Sequence, residues 1–454
     1  MRNDAAGAAT AEPTATAEPT ATFRPRIVVV GAGSAVFGLG FLQDLFQTPE
    51  LRGCRLALVD VAAPSVERMG RLARRLNEAT DFDATITTTG DLAEALPGAD
   101  FVVTSVAVDR IPTWKADHEL ALSHGFASVL SENGGPGGLS HTLRSIPLVL
   151  EIAQVVERLA PGALLLNYTN PENRVCLAIA RYTKVHAIGL CHGVAETIEF
   201  AAELLGREPN DLDLRAAGVN HFTWTTALTD RATGRDLLPD FRAALDREPA
   251  TTWPLCRYAD RRLGTFPTTG DNHVGEYLPW AAEIVGTTGY DFDAFDRRAR
   301  ETVEQVTAWG DGTEPVDALL AERSSEARLN QSAALLIADV VGRRSRPRPS
   351  FILPNDGLVP ELPADTVVEV AGEVVDGRPR GIPSGPLPDP VRALVEREQE
   401  VQRLAVQAAV EGSRELALRA LLVDPIVSSA RAAEAFLDAV LDRHRPYLPR
   451  FWAD

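Results

Sequence analysis

The amino-acid sequence predicts an α/β protein in which a doubly wound, mostly parallel sheet is followed by a helix-rich α+β part. In the first half of the 454-residue chain, short apolar runs rich in β-branched residues alternate with stretches of helical apolar periodicity. Strands that are apolar on both faces are typical of a parallel sheet covered by helices on both sides. From about residue 213 onward, longer and more exposed strands and long amphipathic helices replace this pattern.

The first elements are a strand, a glycine turn and a helix. The run Arg26–Val30 is β-branched, the segment GAGSAVFG follows it, and apolar periodicity continues from Phe37 to Phe46. The later predicted strands of this half are Arg55–Asp60, Ala84–Thr88, Phe101–Ser105, Ala163–Leu166 and Val185–Leu190, and its predicted helices include Ser65–Thr80 and His141–Leu159. The second part is predicted to contain the strands Leu214–Val219 and His221–Leu228, a hairpin at Glu369–Gly377, and the helices Asp293–Trp309, Arg328–Val341 and Pro390–Leu422.

Composition argues against several classes of protein. The chain has 63 Asp and Glu against 45 Lys and Arg, for a formal net charge of −18. Such a surface repels phosphate backbones and anionic lipid headgroups, so we expect neither a nucleic-acid nor a membrane partner. Four cysteines in so long a chain are not a disulfide framework, and the N-terminus lacks the apolar core of a signal peptide. We therefore expect a cytoplasmic location.

A glycine-rich turn, GAGS at residues 31–34, lies between the first strand and the first helix. Gly31 permits a tight turn, Gly33 lets backbone N–H groups approach a pyrophosphate, and Ser34 opens a helix whose dipole favours anions. Val36 stands at the third glycine position, so the match is partial. Asp60 ends the next strand, where a carboxylate accepts bonds from ribose hydroxyls and repels a 2′-phosphate. The turn predicts an NAD site on a Rossmann-like sheet; the alternative is a structural turn with Asp60 as a helix cap.

Two more segments are richer in glycine or asparagine than a plain core requires. Residues 131–140 read SENGGPGGLS, and so many glycines allow a ligand to approach the backbone, although a loop that leads into a helix explains them too. Residues 167–173 read NYTNPEN directly after an apolar strand. Ligands of open α/β sheets bind at such strand ends, so Asn167, Asn170 and Asn173 could orient sugar hydroxyls; Asn-Pro is equally a good turn.

Two strand ends carry potential metal ligands. Cys191 follows the strand Val185–Leu190, and His221 lies between two later strands. Each residue taken alone is more often a packing residue. Together they could supply a sulfur and a nitrogen ligand to a divalent ion and leave positions open for substrate oxygens.

The segment 269–277, TGDNHVGEY, places several titratable groups close together in the chain. Asp271, His273, Glu276 and Tyr277 fall within seven residues and could act as acids and bases. A surface turn followed by a helix cap would contain similar residues. The sequence leaves both interpretations open.

Taken together, these segments resemble glycoside hydrolase family 4, the NAD- and divalent-metal-dependent α-glucosidase and α-galactosidase family. The resemblance covers about residues 26–280 and implies membership of the superfamily that includes lactate and malate dehydrogenases, and a homodimer or homotetramer. The similar pieces keep the family's order: VVVGAGSAVFG at 28–38, LVD at 58–60, GPGG at 135–138, NYTNPEN at 167–173, GLCHG at 189–193 and GVNHFTW at 218–224.

The resemblance implies that a transient oxidation drives cleavage of the glycosidic bond. NAD takes hydride from the C3 hydroxyl, the ketone acidifies the proton at C2, and a base removes that proton while the metal stabilises the enediolate. The group at C1 then leaves by elimination, water adds at C1, and NADH reduces C3. NAD is regenerated in each turnover.

The resemblance also implies roles for individual residues. Arg110 and Arg144 are candidates for binding a 6-phosphate or a uronate carboxylate. By position, the other implied residues are the metal ligands Cys191 and His221, with Mn²⁺ as the ion; the NAD-binding residues Gly31, Gly33, Ser34 and Asp60; the substrate contact Asn170; the acid His192; and the base Asp271, with Tyr277 in reserve.

The predicted function is a glycosidase that cleaves an unphosphorylated α-hexoside or hexuronide. Two other enzymes are kept as alternatives: a 6-phospho-glycosidase of the same family, and an NAD-dependent 2-hydroxy-acid dehydrogenase, which would need neither a metal nor Cys191. A non-catalytic NAD or sugar sensor is a further alternative.

The patterns divide the chain into three segments. Residues 1–22 contain the repeat TAEPTA and too little apolar surface to offset the entropy cost of ordering, so we expect a disordered tail. Residues 23–214 are expected to form the NAD-binding Rossmann-like domain. Residues 215–454 are expected to form a domain for substrate, metal and oligomerisation.

Overall fold

The computed structural model describes residues 23–324 and 331–452. The predicted tail of residues 1–22 and the first residues of the predicted helix Arg328–Val341 lie outside this part of the chain. The described strands are β1 (Arg26–Val30), β2 (Arg55–Val59), β3 (Thr85–Thr89), β4 (Phe101–Thr104), β5 (Leu164–Asn167), β6 (His186–Gly189), β7 (Leu212–Val219), β8 (Phe222–Asp230), β9 (Arg348–Pro354), β10 (Val367–Val375) and β11 (Arg378–Gly381).

The described α-helices alternate with the strands in the first half of the chain and predominate in the second. They are α1 (Ala35–Phe46), α2 (Ala63–Ala79), α3 (Leu92–Ala95), α4 (Arg110–Ser123), α5 (Gly135–Leu159), α6 (Glu172–Tyr182), α7 (Gly193–Leu205), α8 (Leu238–Leu245), α9 (Pro254–Leu263), α10 (Gly270–Val274), α11 (Ala282–Val285), α12 (Phe292–Asp311), α13 (Asp317–Ala321), α14 (Ala333–Gly342), α15 (Asp389–Glu411), α16 (Arg414–Val423) and α17 (Ala430–Arg443).

The first six strands form a parallel sheet in the order β3-β2-β1-β4-β5-β6. In β1, Ile27 and Val29 belong to one hydrophobic core, whereas Val28 and Val30 belong to a second core. Because successive side chains of a strand point to opposite faces, the two cores lie on the two sides of the sheet. Burial on both faces explains why these strands are apolar throughout, and the predicted doubly wound α/β fold is confirmed.

The second part of the chain extends the same sheet. β9 pairs antiparallel with β6 through Gly189 and Ile352, and β10, β7 and β8 follow in antiparallel order, with β11 paired to β10. Sequence reasoning does not predict β9, because Pro347 and Pro349 at its start argue against a strand inside a sheet. Strands from both sides of residue 214 lie in one sheet, and the predicted division into two domains there stays a prediction.

Three predicted elements differ from the observed ones in extent. The predicted helix Pro390–Leu422 is two helices, α15 and α16, because Gly412 adopts a left-handed φ of 68° and ends α15. The predicted hairpin Glu369–Gly377 turns later than expected, so β10 runs to Val375 and β11 begins at Arg378. Helix α5 begins at Gly135, six residues before the predicted start, because Pro136 fits the first turn of a helix.

The parallel strands bring the loops of interest to one edge of the sheet. The glycine turn follows β1, the segment NYTNPEN begins at the end of β5, and Cys191 follows β6. The turn between β7 and β8 carries His221. Carboxyl ends of parallel strands are where α/β proteins bind ligands. Among the helices that the structure describes, none is long and apolar enough to cross a bilayer.

Candidate active site

The turn after β1 has the geometry that a bound pyrophosphate needs. Gly31 adopts a left-handed φ of 85°, and a Cβ at this position would lie 2.0 Å from the Ser105 carbonyl oxygen. Only glycine fits this close approach. Ser34 caps α1, since its Oγ accepts a hydrogen bond from the Phe37 N–H at 3.4 Å. The N-terminus of α1, the positive end of its dipole, therefore opens beside the turn.

Asp60, at the end of β2, lies against the same turn. Its Oδ2 accepts a hydrogen bond from the Gly33 N–H at 2.9 Å, and its Oδ1 accepts one from the Ala62 N–H at 2.9 Å. The two bonds hold the carboxylate beside the glycines, at the place where the ribose of a dinucleotide would lie.

A single large cleft joins this turn to a second group of polar residues. Its volume is about 1430 Å³, enough for a dinucleotide and a further small ligand. Gly31, Ser34 and Asp60 line one end. We call the other end the polar end; it is lined by Arg110, Glu132, Asn170, Cys191, His192, His221, Asp271 and His273.

Cys191 and His221 meet at the polar end. The Cys191 Sγ lies 3.2 Å from the His221 Nε2, and both residues are buried. Cys191 is held at the start of α7, where the Gly193 N–H donates to its sulfur at 3.4 Å. His221 belongs to the two-residue turn that joins Val219 of β7 to its partner Phe222 of β8, and its φ is 66°. Residues 30 positions apart thus face each other because two strands end at the same place.

The electrostatics of this pair suit a bound cation. Burial, together with Glu369 and Glu172, raises the pKa of the Cys191 thiol well above its ordinary value. Burial, together with His273, His192 and Arg110, holds the pKa of His221 well below its ordinary value, so the imidazole is neutral. The His221 Nδ1 is buried and has no hydrogen-bond partner. A cation that displaces the thiol proton would supply the positive charge that a buried thiolate requires.

Glu369, on β10, supports the turn that carries His221. Its Oε1 accepts from the Ser350 hydroxyl at 2.7 Å, its Oε2 accepts from the Asn220 side-chain amide at 3.1 Å, and the carboxylate also accepts the His221 backbone N–H. Burial raises the pKa of Glu369 to about 7. Through these hydrogen bonds, Glu369 holds the turn that carries His221 in place.

His273, which is partly exposed, and the buried Glu276 form a second cluster next to His221. The rings of His221 and His273 stack with 4.1 Å between centroids, and the His273 Nδ1 lies 3.5 Å from the Glu276 Oε1. One potential ligand atom from each of the three residues lies within 4.8 Å of the others. The Glu276 Oε2 accepts the N–H groups of residues 132–134 at 2.6, 2.7 and 3.1 Å. One carboxylate therefore joins the glycine-rich loop before α5 to the histidine pair.

The remaining predicted residues at the polar end differ in their hydrogen bonds and in their exposure to solvent. Arg110 donates to the Glu132 Oε1 at 2.6 Å, and the Asn170 side-chain amide lies 3.4 Å from the same oxygen. His192 is exposed at the start of α7. Asp271 lines the cleft while its carboxylate accepts the N–H groups of Leu255 and Cys256 at 3.2 and 2.9 Å, at the start of α9.

The structure does not bring Tyr277 or Arg144 to the cleft. Tyr277 is buried, its ring stacks on Phe222 with 4.9 Å between centroids, and burial together with Glu276 raises its pKa well above the ordinary value. Arg144 pairs with Asp117 at 2.5 Å, and His444 contacts the other oxygen of that carboxylate at 2.9 Å. The guanidinium is 1% exposed and serves to neutralise a buried acid, so it does not face a substrate.

Comparison with known protein families covers most of the chain. The model for family 4 glycosyl hydrolases matches residues 26–207, and the model for the C-terminal domain of the same family matches residues 216–427. The chain belongs to glycosyl hydrolase family 4. The resemblance drawn from the sequence motifs is confirmed, and the protein is a glycoside hydrolase.

The relatives of this family 4 enzyme are similar over nearly their whole length. An alpha-glucosidase of Erwinia rhapontici is 29% identical, with 93% of this chain and 98% of that protein covered. An alpha-galactosidase of Rhizobium meliloti is 30% identical, with 94% and 89% covered. The structure of a 6-phospho-alpha-glucosidase from gut microorganisms, in complex with NAD and Mn²⁺, matches with a TM-score of 0.82, 22% identity, and 94% and 99% of the two chains covered.

A malate dehydrogenase has a similar fold. The malate dehydrogenase of Cryptosporidium parvum, with 14% identity, matches with a TM-score of 0.51 and covers 86% of this chain and 99% of its own. The likeness concerns the fold alone and carries no statement about activity.

One functional candidate in this family 4 enzyme, Glu132, is not predicted from its sequence. His273 and Glu276 are named there as possible acids and bases, and their spacing of three residues suits side chains that lie on one face of a helical turn. Glu132 has no such spacing signal. Its contact with Arg110 joins a loop to a helix 22 residues earlier in the chain.

Proposed function

We propose that this family 4 enzyme cleaves an unphosphorylated α-hexoside or hexuronide by transient oxidation at C3, proton removal at C2, elimination of the group at C1 and addition of water. NAD and a divalent cation, with Mn²⁺ as the favoured ion, are the proposed cofactors. When bound, NAD supplies a reversible hydride acceptor, and the cation withdraws electron density from the sugar oxygens at C2 and C3.

The chain's residues fit both groups. Gly31, Gly33 and Ser34 offer a pyrophosphate the tight turn and the N-terminus of α1, and Asp60 favours a ribose diol over a 2′-phosphate. For the cation, Cys191 and His221 would supply a sulfur and a nitrogen ligand. The Cys191 Sγ and the His221 Nε2 are 3.2 Å apart, so one ion could contact both atoms.

The proposed roles of the other residues follow from where they lie. Asn170 has a buried Oδ1 without a hydrogen-bond partner, so it can accept a sugar hydroxyl. Asp271 is the proposed base for the C2 proton, and the N–H groups of α9 steady its carboxylate. His192, exposed next to Cys191, is the proposed proton donor to the leaving group. Burial of Cys191 and His221 keeps water from competing for the cation.

The single observation that carries the proposal is the Cys191–His221 pair in a cleft that continues to the glycine turn. The test is a panel of nitrophenyl α- and β-hexosides, hexuronides and 6-phospho-hexosides, assayed with NAD, Mn²⁺ and a thiol reductant. We expect glycoside cleavage that requires NAD and the cation, yields no net NADH, and in D₂O introduces deuterium at C2 of the product.

The alternatives give different outcomes in the same assay. NADH formed in proportion to product, without glycoside cleavage, would identify a 2-hydroxy-acid dehydrogenase. Ligand binding without turnover would identify a sensor. Cleavage that is fully retained without NAD and after chelation would contradict the redox mechanism.

The assembly, partners and location of the enzyme are predicted from its sequence. A homodimer or homotetramer, the lack of nucleic-acid and membrane partners, and a cytoplasmic location stay predictions. Sedimentation of the purified chain tests the first of them.

A further inference from the structure

The polar end of the cleft contains a charged pair that bears on substrate choice. The Arg110 Nη2 lies 2.6 Å from the Glu132 Oε1, with side-chain exposures of 39% and 5%. Burial alone would raise the pKa of Glu132, but Arg110, His273 and His141 together lower it, so the group is a carboxylate. The charge of Arg110 is therefore neutralised from within the protein before a substrate arrives.

Within residues 23–324 and 331–452, Arg110 and Arg158 are the arginines that line the cleft, and no lysine lines it. Arg158 lies in the last turn of α5, and the helical rise places it about 35 Å along the helix from Gly135. Asp271 adds a further carboxylate to the polar end, and Glu196 adds another to the lining of the cleft. An anionic group of a substrate would therefore lie near carboxylates at the polar end. Among the described residues that line this end, no guanidinium is left unpaired to bind it.

The other feature that could bind an anion is already filled. Three consecutive backbone N–H groups, at residues 132–134, converge on one point, as they do in anion-binding loops. The Glu276 Oε2 occupies that point and accepts all three hydrogen bonds. The glycine-rich loop is thus saturated by an internal carboxylate.

We propose that the natural substrate is an uncharged hexoside, and that Glu132 is the residue that excludes hexuronides and 6-phospho-hexosides. This inference rests on the proposed function and names its substrate class. The Glu132 carboxylate and the buried, unpartnered Asn170 Oδ1 both accept hydrogen bonds from neutral hydroxyls. A uronate or phosphate group would compete with Glu132 for Arg110 and be repelled by the same carboxylate.

The test compares three substrates that differ at C6: a nitrophenyl α-hexoside, the corresponding hexuronide and the corresponding 6-phospho-hexoside, each with NAD, Mn²⁺ and a reductant. We expect the wild type to favour the hexoside over both anions by about 100-fold or more in kcat/KM. Glu132→Gln keeps the shape of the side chain and removes the charge that pairs with Arg110. The ratio of kcat/KM for the hexoside to kcat/KM for each anionic substrate should therefore fall by about 10-fold or more. In the double variant Glu132→Gln, Arg110→Gln, the increase in kcat/KM on the hexuronide and the 6-phospho-hexoside should be lost.

Asp260→Asn is a matched control. The Arg242–Asp260 pair has side-chain exposures of 41% and 8%, close to those of Arg110 and Glu132, and lies outside the cleft. This variant should keep the wild-type ratio of the three substrates. A wild type that prefers the hexuronide or the 6-phospho-hexoside would overturn the inference while leaving the proposed function intact, and so would a ratio that Glu132→Gln does not change. Failure to cleave any of the three would instead contradict the proposed function.

Discussion

Glu276 offers a direct test of how the polar end is held together. Its Oε2 accepts three backbone N–H groups at 2.6, 2.7 and 3.1 Å, and the residue is 1% exposed. Glu276→Ala would leave three buried donors without an acceptor, at a cost of about 1–3 kcal/mol each. The sum is about 3–9 kcal/mol, and water that enters the space should bring the loss of unfolding free energy to the lower half of that range.

Glu276→Gln separates the hydrogen bonds from the charge. The amide keeps one acceptor oxygen for the loop but is neutral, and hydrogen bonds to charged groups are roughly twice as strong as neutral ones. We therefore expect a loss of about 1–3 kcal/mol for this variant. Because Glu276 also faces His273, both variants should lower kcat more than they raise KM.

The assay is urea unfolding of the cofactor-free chain, with kcat and KM measured on the same preparations. Glu203→Ala, an exposed position on α7, is the control and should change the unfolding free energy by less than about 0.5 kcal/mol. If Glu276→Ala were no more destabilised than Glu203→Ala, the carboxylate would not hold the loop, and the reasoning would be refuted.

Three further predictions concern the cation, the cofactor and pH. Cys191→Ser should weaken Mn²⁺ binding about 100-fold or more with little change in NAD affinity, since the sulfur is the proposed ligand of the cation and not of NAD; equal Mn²⁺ titrations for both proteins would exclude Cys191 as a ligand. Asp60→Ala should weaken NAD binding about 10-fold or more, which fluorescence titration measures, and an unchanged affinity would remove Asp60 from the site. Burial, with Glu398 nearby, raises the pKa of Asp424 from its ordinary value of 3.8 to about 7. The stability contributed by the protonated form of Asp424 is fully present below the pKa of the unfolded state. It is lost as pH rises to the pKa of the folded state, and the free energy of unfolding falls by about 4 kcal/mol over this range. Asp424→Asn, which does not titrate, should therefore gain stability relative to the wild type between about pH 4 and about pH 8 in urea unfolding, and parallel pH profiles would contradict this assignment.

The elements that sequence reasoning predicted well are those with a local signal. Strands such as Arg26–Val30 and Arg55–Val59 are apolar throughout because both faces are buried, and this property is visible in five consecutive residues. Gly31 was predicted as a turn because few other residues adopt its φ of 85°. Cys191 could be singled out because it directly follows a predicted strand, and His221 because it lies where two predicted strands meet.

Boundaries were less predictable than the elements themselves. The predicted helix Pro390–Leu422 keeps its apolar periodicity across the break at Gly412, so only the left-handed backbone there reveals two helices. β9 lies in the sheet despite its prolines because it pairs with strands on both sides. One partner, β6, lies more than 150 residues earlier in the chain, and the other, β10, follows β9 directly. Pairing between distant segments outweighs local propensity.

The sequence by itself determined the alternation of strands and helices, the glycine turn and the family, because each depends on residues close together in the chain or on motifs in a set order. Only the tertiary structure decided which charged side chains line the cleft and which carboxylate pairs with each arginine. Arg110 is neutralised by Glu132, and Arg144 is drawn into the core by Asp117. An arginine's role depends on which carboxylate lies within a few ångströms, and that distance is set by the packing of elements far apart in the chain.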